Sequence, residues 1–568
     1  MQCAKNGWRS SIMDVGLCSR GFVFLWIGLA AFASTILLVG PVRETAFDDD
    51  WVYALMVQHL LQTNSYQLHE WATANLPFQT YWGGLFAHVF GYSFTSLRIS
   101  TLVLVFFGLS AFYFLARECG LNDTQAGLTM VALLASPLFL LYSFTFQTDV
   151  PLLMCLIIAL FFYTRAIKKH SYPLMVSASV AASAAILTRQ FGLAIPAGVF
   201  LLWALSKERR KQAPLFAMGL ILPVVAGLCQ LYLATLAPNT MQWRNLHDQA
   251  LYFSNISSLL LNIVFRPSII LQYLALFTLP LVCVALVAVT CTIIRADSLD
   301  SKCTKGDKHY LFLLVILTLY ILSGILALHI ANHWPRLMPS IPWDFTFLFQ
   351  LGDLSRVTVT LITALGAILY AFIIVARFRD DHIEAGIRKS ERLVDYVFVF
   401  LLAEVALYST LADRYIVVLL PCVLIMVGRY IGGWLDRFSM AVGIACVTML
   451  IVSALWTRER LEREEAGWKG AESLLAARVQ PSEVFGFDPW NFYRGATHDY
   501  LAEVGEARIE SFKDFWSRWY PERRKRARFL IVDSPVAPKG EEWKVVARIP
   551  YRGMFLGEER VYVIKRES

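Results

Sequence analysis

The chain has 568 residues and a formal net charge of +8, but its 57% hydrophobic and 17% charged residues exclude an ordinary soluble protein, because soluble chains carry about 25% charged residues. The apolar residues gather into uncharged blocks of roughly 17–25 residues, the length that crosses a ~30 Å hydrocarbon layer as a helix satisfying its own backbone hydrogen bonds. No CxxC spacing occurs and no cysteine lies beyond Cys446, which excludes a disulfide framework or a thiolate metal site in the C-terminal region.

In chain order, spans are predicted at 21–41, 97–116, 125–143, 150–167, 173–187, 190–205, 214–236, 269–294, 310–330, 355–376, 394–411, 415–431 and 438–456. That is an all-α polytopic membrane protein of about thirteen helices. Lys5, Arg9 and Arg20 precede the first block, and Ala31-Phe32-Ala33 mimics a signal-peptide cleavage site. The apolar run continues to Gly40, too far for a signal core, so the block reads as an uncleaved anchor. Alternate connections carry Arg165, Lys168 and Lys169; Lys207 to Lys211; Arg295 to Lys308; and Arg377 to Arg392. The intervening ones are nearly bare, with only Arg43 in the whole of 42–95. Positive loops stay inside, so the N-terminus is expected in the cytoplasm and 42–95, 237–268, 331–353 and the C-terminal tail outside. The basic clusters thus act as topology signals, and nucleic-acid binding is not predicted.

After Trp456 the composition changes abruptly. Residues 457–480 read as an amphipathic charged helix, and strands are expected at Val484–Phe487, Phe529–Val532, Trp543–Ile549 and Arg560–Ile564, with a short helix over 511–520. The organisation is therefore a membrane domain, 1–456, and a small soluble α/β domain, 457–568.

The outer segment 42–95 is too long for a simple connector, and long ordered loops are usually functional. It opens with Asp48-Asp49-Asp50. Mutual repulsion raises at least one carboxylate pKa and makes a better general base; the alternative is an acidic turn capping a helix over Trp51–Gln62. Asp149 in Thr148-Asp149-Val150-Pro151 reads either as a helix start or as an ionisable site residue at the membrane boundary. Arg189, in the tight turn Thr188-Arg189-Gln190-Phe191-Gly192, and Arg414, in Asp413-Arg414-Tyr415, sit on the otherwise arginine-poor outer side, as do His333, Trp334 and Arg336. Each such arginine needs a partner: an anionic ligand, since guanidinium forks suit phosphate, or a structural carboxylate such as Asp413. Carboxylates and arginines at headgroup depth suit a reaction on a lipid phosphate.

These residues resemble the membrane-embedded GT-C glycosyltransferases, especially the protein O-mannosyltransferase family (glycosyltransferase family 39) and the lipid A aminoarabinose transferases. Asp48-Asp49-Asp50-Trp51-Val52-Tyr53-Ala54-Leu55 is similar to the acidic first-loop motif; registering on Tyr53-Ala54-Leu55 places Asp49 at its Asp and Asp50 at its Glu. Leu76-Pro77-Phe78-Gln79-Thr80-Tyr81-Trp82 resembles the proline-rich segment, with one Pro where two are common. Phe90-Gly91-Tyr92-Ser93, Ser136-Pro137-Leu138 through Asp149-Val150-Pro151, Leu187-Thr188-Arg189, and Arg414-Tyr415 through Pro421 follow in the family's order, covering roughly 20–430.

The resemblance implies transfer of one sugar from a polyprenyl-phosphate donor, with inversion, to a protein, lipid or glycan acceptor outside a bacterial inner membrane. Asp49, or the adjacent Asp48 or Asp50, would be the base. Asp149 would orient a substrate, Arg189 and Arg414 would hold the leaving phosphate, and Gln79, Tyr81, Trp82 and Tyr415 would line the sugar or acceptor site. No cofactor is required; some relatives use a divalent metal, which is not predicted here because no further carboxylate or His follows at ligand spacing. Competing readings are a transporter of a lipid-linked or anionic substrate, disfavoured by the absence of a half-repeat, and a structural or sensory protein. For the latter, Phe487-Asp488-Pro489-Trp490-Asn491 and Phe515-Trp516-Ser517-Arg518-Trp519-Tyr520 could bind a partner or sugar, or simply form core.

Overall fold

The apolar blocks become helices, and polar capping residues decide where several of them start. The computed structural model describes residues 22–236, 240, 242, 249–250, 252–287, 353–379, 389–408, 412–494, 520–535, 542–554 and 557–567. Helix α1 (Phe22–Val39) is followed by two helices of the segment 42–95, α2 (Asp50–Thr63) and α3 (Pro77–Phe90), and then by α4 (Phe94–Glu118). Ser93 and Ser96 form a reciprocal capping box at the start of α4, and Asn122 and Gln125 do the same for α5 (Asp123–Ala135). Each box satisfies two amide groups that a helix start otherwise leaves without partners.

The block expected as one span over 125–143 is broken. Between α5 and α6 (Pro137–Ser143) the axis turns by 70°. Pro137 lacks an amide hydrogen and disfavours helical backbone at Ser136, which is extended at φ −61°, ψ 121°. Beyond it lie α7 (Asp149–Lys169), α8 (Tyr172–Ile186), α9 (Ala194–Ala204), α10 (Arg209–Leu236), α11 (Ile256–Phe277) and α12 (Leu279–Val287). The stretch Phe265–Phe277 meets α12 at 95°. Then come α13 (Asp353–Arg379), α14 (Arg392–Leu407), α15 (Asp413–Ile416), α16 (Leu420–Tyr430), α17 (Gly432–Arg437) and α18 (Ser439–Ala476). Among the described residues, five helices are long and apolar enough to cross a membrane, or up to seven if each bent pair is one span, alongside shorter apolar helices. The span expected at 310–330 and the loop residues His333, Trp334 and Arg336 lie outside the described residues.

Helix α18 runs 38 residues, through position 456 without a break, about 57 Å at 1.5 Å per residue. Its second half packs against a four-stranded sheet of order β1-β2-β4-β3, formed by Val484–Phe485, Phe529–Val532, Glu558–Arg566 and Trp543–Arg552 respectively. β1 and β2 are parallel; β4 is antiparallel to β2 and to β3, with a bulge between Val545 and Ala547. Gly470 permits the close approach, since a Cβ there would lie 2.7 Å from the Ile549 side chain. The short helices α19 (Asp488–Tyr493) and α20 (Tyr520–Arg526) complete the region, while most of 511–520 lies outside the described residues.

A single apolar core joins this C-terminal region to the outer segment. Trp51, Tyr53 and Val57 of α2 share it with Trp468, Trp490, Ile531 and Val563. The Trp51 ring stacks on Phe492 at 5.2 Å and 7°. Arg43 adds an ion pair to Glu465 at 2.9 Å. The segment 42–95 is thereby clamped between the membrane helices and the sheet.

Candidate active site

The site grows from the turn that ends the chain's exit from α1. Asp48 adopts left-handed backbone, φ 52°, a conformation Asp tolerates better than most residues and one that recurs where local strain is held for function. Asp49 sits at the N-cap of α2, yet its side chain makes no cap hydrogen bond. Asp50 is fully buried; its Oδ1 accepts from the Phe47 amide at 2.6 Å and its Oδ2 from the Phe146 amide at 3.4 Å. Burial pushes the Asp50 carboxyl up to about 7, against the pull of Arg98 and the two amides. Asp50 therefore knots the first outer turn to the second, while Asp48 and Asp49 remain free to point elsewhere.

They point at Arg414. Its Nη1 donates to Asp48 Oδ2 at 2.7 Å and its Nη2 to Asp49 Oδ2 at 2.9 Å, so one guanidinium fork spans two carboxylates. The Asp48 side chain keeps 24% exposure but is ringed by protein. Burial, followed by the Asp49 charge, pushes its pKa well above the usual carboxylate range although Arg414 opposes this. Asp49 is the most open of the three, at 36%. Asp149, the first residue of α7, receives Arg189 Nη1 at 2.8 Å on Oδ1, and its Oδ2 lies 4.0 Å from Arg414 Nε. Thr148 Oγ1 also accepts from Arg189, at 3.0 Å. The tight turn that presents Arg189 depends on Gly192, where a Cβ would fall 2.5 Å from the Ile186 backbone nitrogen. Tyr415 forms an aromatic wall: the Arg189 guanidinium stands 4.3 Å from its ring centre, and Phe191 and Tyr408 pack against the same ring.

The structure thus brings together Asp48, Asp49, Asp149, Arg189, Arg414 and Tyr415 from four separate stretches of chain. Gln79 lies one step behind, fully buried, donating to the Phe146 carbonyl at 2.6 Å. Tyr81 is 54% exposed and stacks on Tyr66, and the Trp82 indole donates to the Ser100 carbonyl at 2.9 Å. Neither hydrogen-bonds to or stacks on a member of the charged cluster. Gln147, not singled out in advance, belongs to its surroundings, as does Asp488 from the 487–491 stretch read above as a binding surface or core. Gln147 reaches from Phe47 (3.3 Å) to Arg414 (3.5 Å), and Tyr142 is buried with a hydroxyl that has no hydrogen-bond partner. Asp488, at the start of α19, is open to solvent yet crowded by protein; burial, then Glu464 and Asp49, push its pKa up to about 7. The stack of Trp51 on Phe492 sets the C-terminal region against α2, the helix that starts at Asp50. Among the described residues no three His, Cys, Asp or Glu side chains converge to hold a metal ion.

Fold and site together define a multi-span helical membrane protein with a small C-terminal sheet and paired arginines and carboxylates at one end of its helices. Residues 75–229, from the approach to α3 through most of α10, match the family described as dolichyl-phosphate-mannose-protein mannosyltransferase, and over that segment the chain resembles it. No curated protein matches the chain significantly. Among solved structures, ArnT from Cupriavidus metallidurans bound to undecaprenyl phosphate aligns at 15% identity and a TM-score of 0.46, covering 96% of this chain and 98% of that one. The oligosaccharyltransferase AglB from Archaeoglobus fulgidus, in complex with an inhibitory peptide and a dolichol-phosphate, aligns at 12% identity and 0.45, covering 90% and 69%.

Proposed function

We propose that this chain is a GT-C-type inverting glycosyltransferase, moving one hexosyl or pentosyl unit from a polyprenyl-phosphate donor to a protein, lipid or glycan acceptor. It would work at the outer face of a bacterial inner membrane, with the N-terminus cytoplasmic and the domain 457–568 outside, attached to the catalytic domain 1–456. The observation that carries this reading is the Arg414 fork held by Asp48 and Asp49, with Asp149 and Arg189 beside it. A base and two phosphate-binding cations meet in one place, and the matched family acts, by its description, with dolichyl-phosphate-mannose.

The chemistry follows from the charges. The donor phosphate competes with Asp48 and Asp49 for Arg414, and so frees a carboxylate as it binds. Asp49, the more exposed of the two, takes the proton from the acceptor hydroxyl or amine. The acceptor oxygen or nitrogen bonds to the anomeric carbon from the face opposite the phosphate. The bond from that carbon to the phosphate oxygen breaks, its electron pair staying on the phosphate. Arg189 and Arg414 stabilise that charge in place, without reorganising at the moment of reaction. Asp149 holds the two arginines in register and Tyr415 walls the sugar or acceptor site, with Gln79 buried behind it and Tyr81 and Trp82 set apart from the charged cluster. No nucleotide and no cofactor enters the scheme.

Mass spectra of cell-envelope glycans from cells with and without the protein should reveal one product differing by a single sugar. Asp49→Asn, expressed in the cells lacking it, should reach the membrane at normal levels and lower product formation at least about a hundredfold, the range expected on losing a general base. Unchanged product in each of the Asp48, Asp49 and Asp50 single variants would remove the base assignment.

A further inference from the structure

Helix α3 begins against the two turns that present Asp149 and Arg189. Phe78 and Gln79 are neighbours in its first turn, and each fastens a different one. The Phe78 amide, a donor that a helix start leaves without an internal partner, donates to the Leu187 carbonyl at 3.2 Å, two residues before Arg189. The Gln79 side-chain amide donates to the Phe146 carbonyl at 2.6 Å, three residues before Asp149. Gln230 of α10 braces the first contact: its side-chain amide donates to the Ile186 and Asn75 carbonyls at 2.6 and 2.9 Å, and its backbone carbonyl accepts from the Asn75 side chain at 3.1 Å. Phe146 is held from other sides too. Its amide donates to Asp50, and a Cβ at Gly83, one turn along α3 from Gln79, would fall 2.5 Å from Phe146 Cζ. Past Phe146 the chain runs into the charged cluster, with Thr148 and Asp149 both accepting from Arg189. Gln79 is fully buried, and its Oε1 has no hydrogen-bond partner, which is unfavourable. An apolar side chain of that length would fill the space without that penalty. What the amide adds is a donor for the Phe146 carbonyl.

We infer that Gln79 is a positioning residue for the lipid phosphate: by holding the Phe146 carbonyl it fixes where Asp149, and through it Arg189, stand, and it touches neither sugar nor acceptor. This rests on the reading of the site as one that takes a polyprenyl phosphate. Two adjacent residues of one helix turn thereby set the spacing of two turns that lie 40 residues apart in the chain and meet in the Arg189–Asp149 pair at 2.8 Å.

The test uses the full chain in phosphatidylcholine nanodiscs, titrated with undecaprenyl phosphate, which carries no sugar, and with undecaprenol as the phosphate-free control. Wild type should bind the phosphate more tightly than the alcohol. Gln79→Met keeps the length of the side chain and removes the donor; Gly83→Ala displaces the Phe146 ring and leaves Gln79 in place. In the monodisperse fraction of each, the apparent Kd for undecaprenyl phosphate should rise about fivefold, within the range by which residues touching neither ligand shift an affinity, with undecaprenol binding unchanged. Thr80→Val removes a different buried hydrogen bond of α3, from Thr80 Oγ1 to the Leu76 carbonyl at 3.0 Å, and should bind as wild type does. A Gln79→Met protein that binds undecaprenyl phosphate like a discriminating wild type would overturn the role of Gln79 alone, since only a residue confined to the sugar or to packing leaves that affinity untouched. So would an equal loss in Thr80→Val, which would trace the effect to a loosened helix, or a loss in Gln79→Met without one in Gly83→Ala, which would take Phe146 out of the route. Should Gln79→Met not fold, Gly83→Ala against Thr80→Val decides in the same way. If wild type shows no preference for the phosphate, the lipid-phosphate reading and this inference fall together.

Discussion

Two buried charge networks lie at opposite ends of α7. At its start, Asp149 joins Arg189 and Arg414; at its other end, Lys168 reaches Glu118 at 3.1 Å and approaches Glu391 at 3.9 Å. The nineteen residue steps from Asp149 to Lys168 span about 29 Å, close to one hydrocarbon thickness. The far network continues through Arg429 to Glu391 at 2.5 Å, Arg377 to Asp395 at 2.5 Å and Arg165 to Glu118 at 3.3 Å. There each contact ties one helix or helix start to another: α4 to α7, α16 to the turn before α14, α13 to α14. The near network instead sets three carboxylates against two guanidiniums and leaves donor atoms unpartnered. Similar residues can therefore do unlike work. One set fastens helices, although Asp395 Oδ2 is left without a hydrogen-bond partner there too; in the other, carboxylates outnumber guanidiniums.

Breaking one member of each pair should separate these roles. Removing a cation from the far network strands a buried carboxylate, which costs about 3–5 kcal/mol. Arg377→Ala should therefore lower the unfolding free energy by that much while the folded fraction binds undecaprenyl phosphate as wild type does; a weakened affinity in that fraction would show the two ends to be coupled. Arg189→Ala removes a donor at the other end. Loss of one preorganised donor to a developing anion is worth about 2.7–4 kcal/mol of barrier, so transfer should fall by roughly a hundredfold or more, with donor saturation shifted to higher concentration. Donor saturation identical to wild type would place Arg189 with the fasteners.

The smallest effect tests the knot behind the site. Asp50 has a pKa raised to about 7, so its protonated form favours the folded state. The resulting stabilisation is full below the usual carboxylate range and is lost as pH rises through about 7. Thermal unfolding followed from pH 4 to 8 should show stability falling across that window, by at most a few kcal/mol, and Asp50→Asn should flatten the slope. A slope of opposite sign would mean that Arg98 and the amides outweigh burial.

Much of the near network was readable before any coordinates, because Arg189 and Arg414 stand out where arginine is scarce and the Asp triplet follows directly on an apolar block. What could not be read was the division of labour within the triplet. Spacing along the chain treats Asp48, Asp49 and Asp50 alike, whereas a left-handed residue at 48 turns two outward and sends the third onto backbone amides. Gln79 shows the same limit, because its amide meets a carbonyl 67 residues away. The 70° bend in 125–143 was not foreseen, because Pro137 marks where a helix can break but its direction depends on packing. The continuity of α18 was hidden for another reason. Hydropathy changes sharply after Trp456, but no Pro interrupts the stretch and helix-forming residues continue on both sides, so polarity switches while backbone preference does not.

That unbroken helix has a mechanical consequence. A rod some ten turns long offers no joint, and the sheet that grips its outer half cannot swing like a door over the membrane helices. Movement around the charged cluster must then come from shifts within the 42–95 segment, whose α2 is pinned by Trp51 to Phe492, rather than from the C-terminal region opening as a separate body.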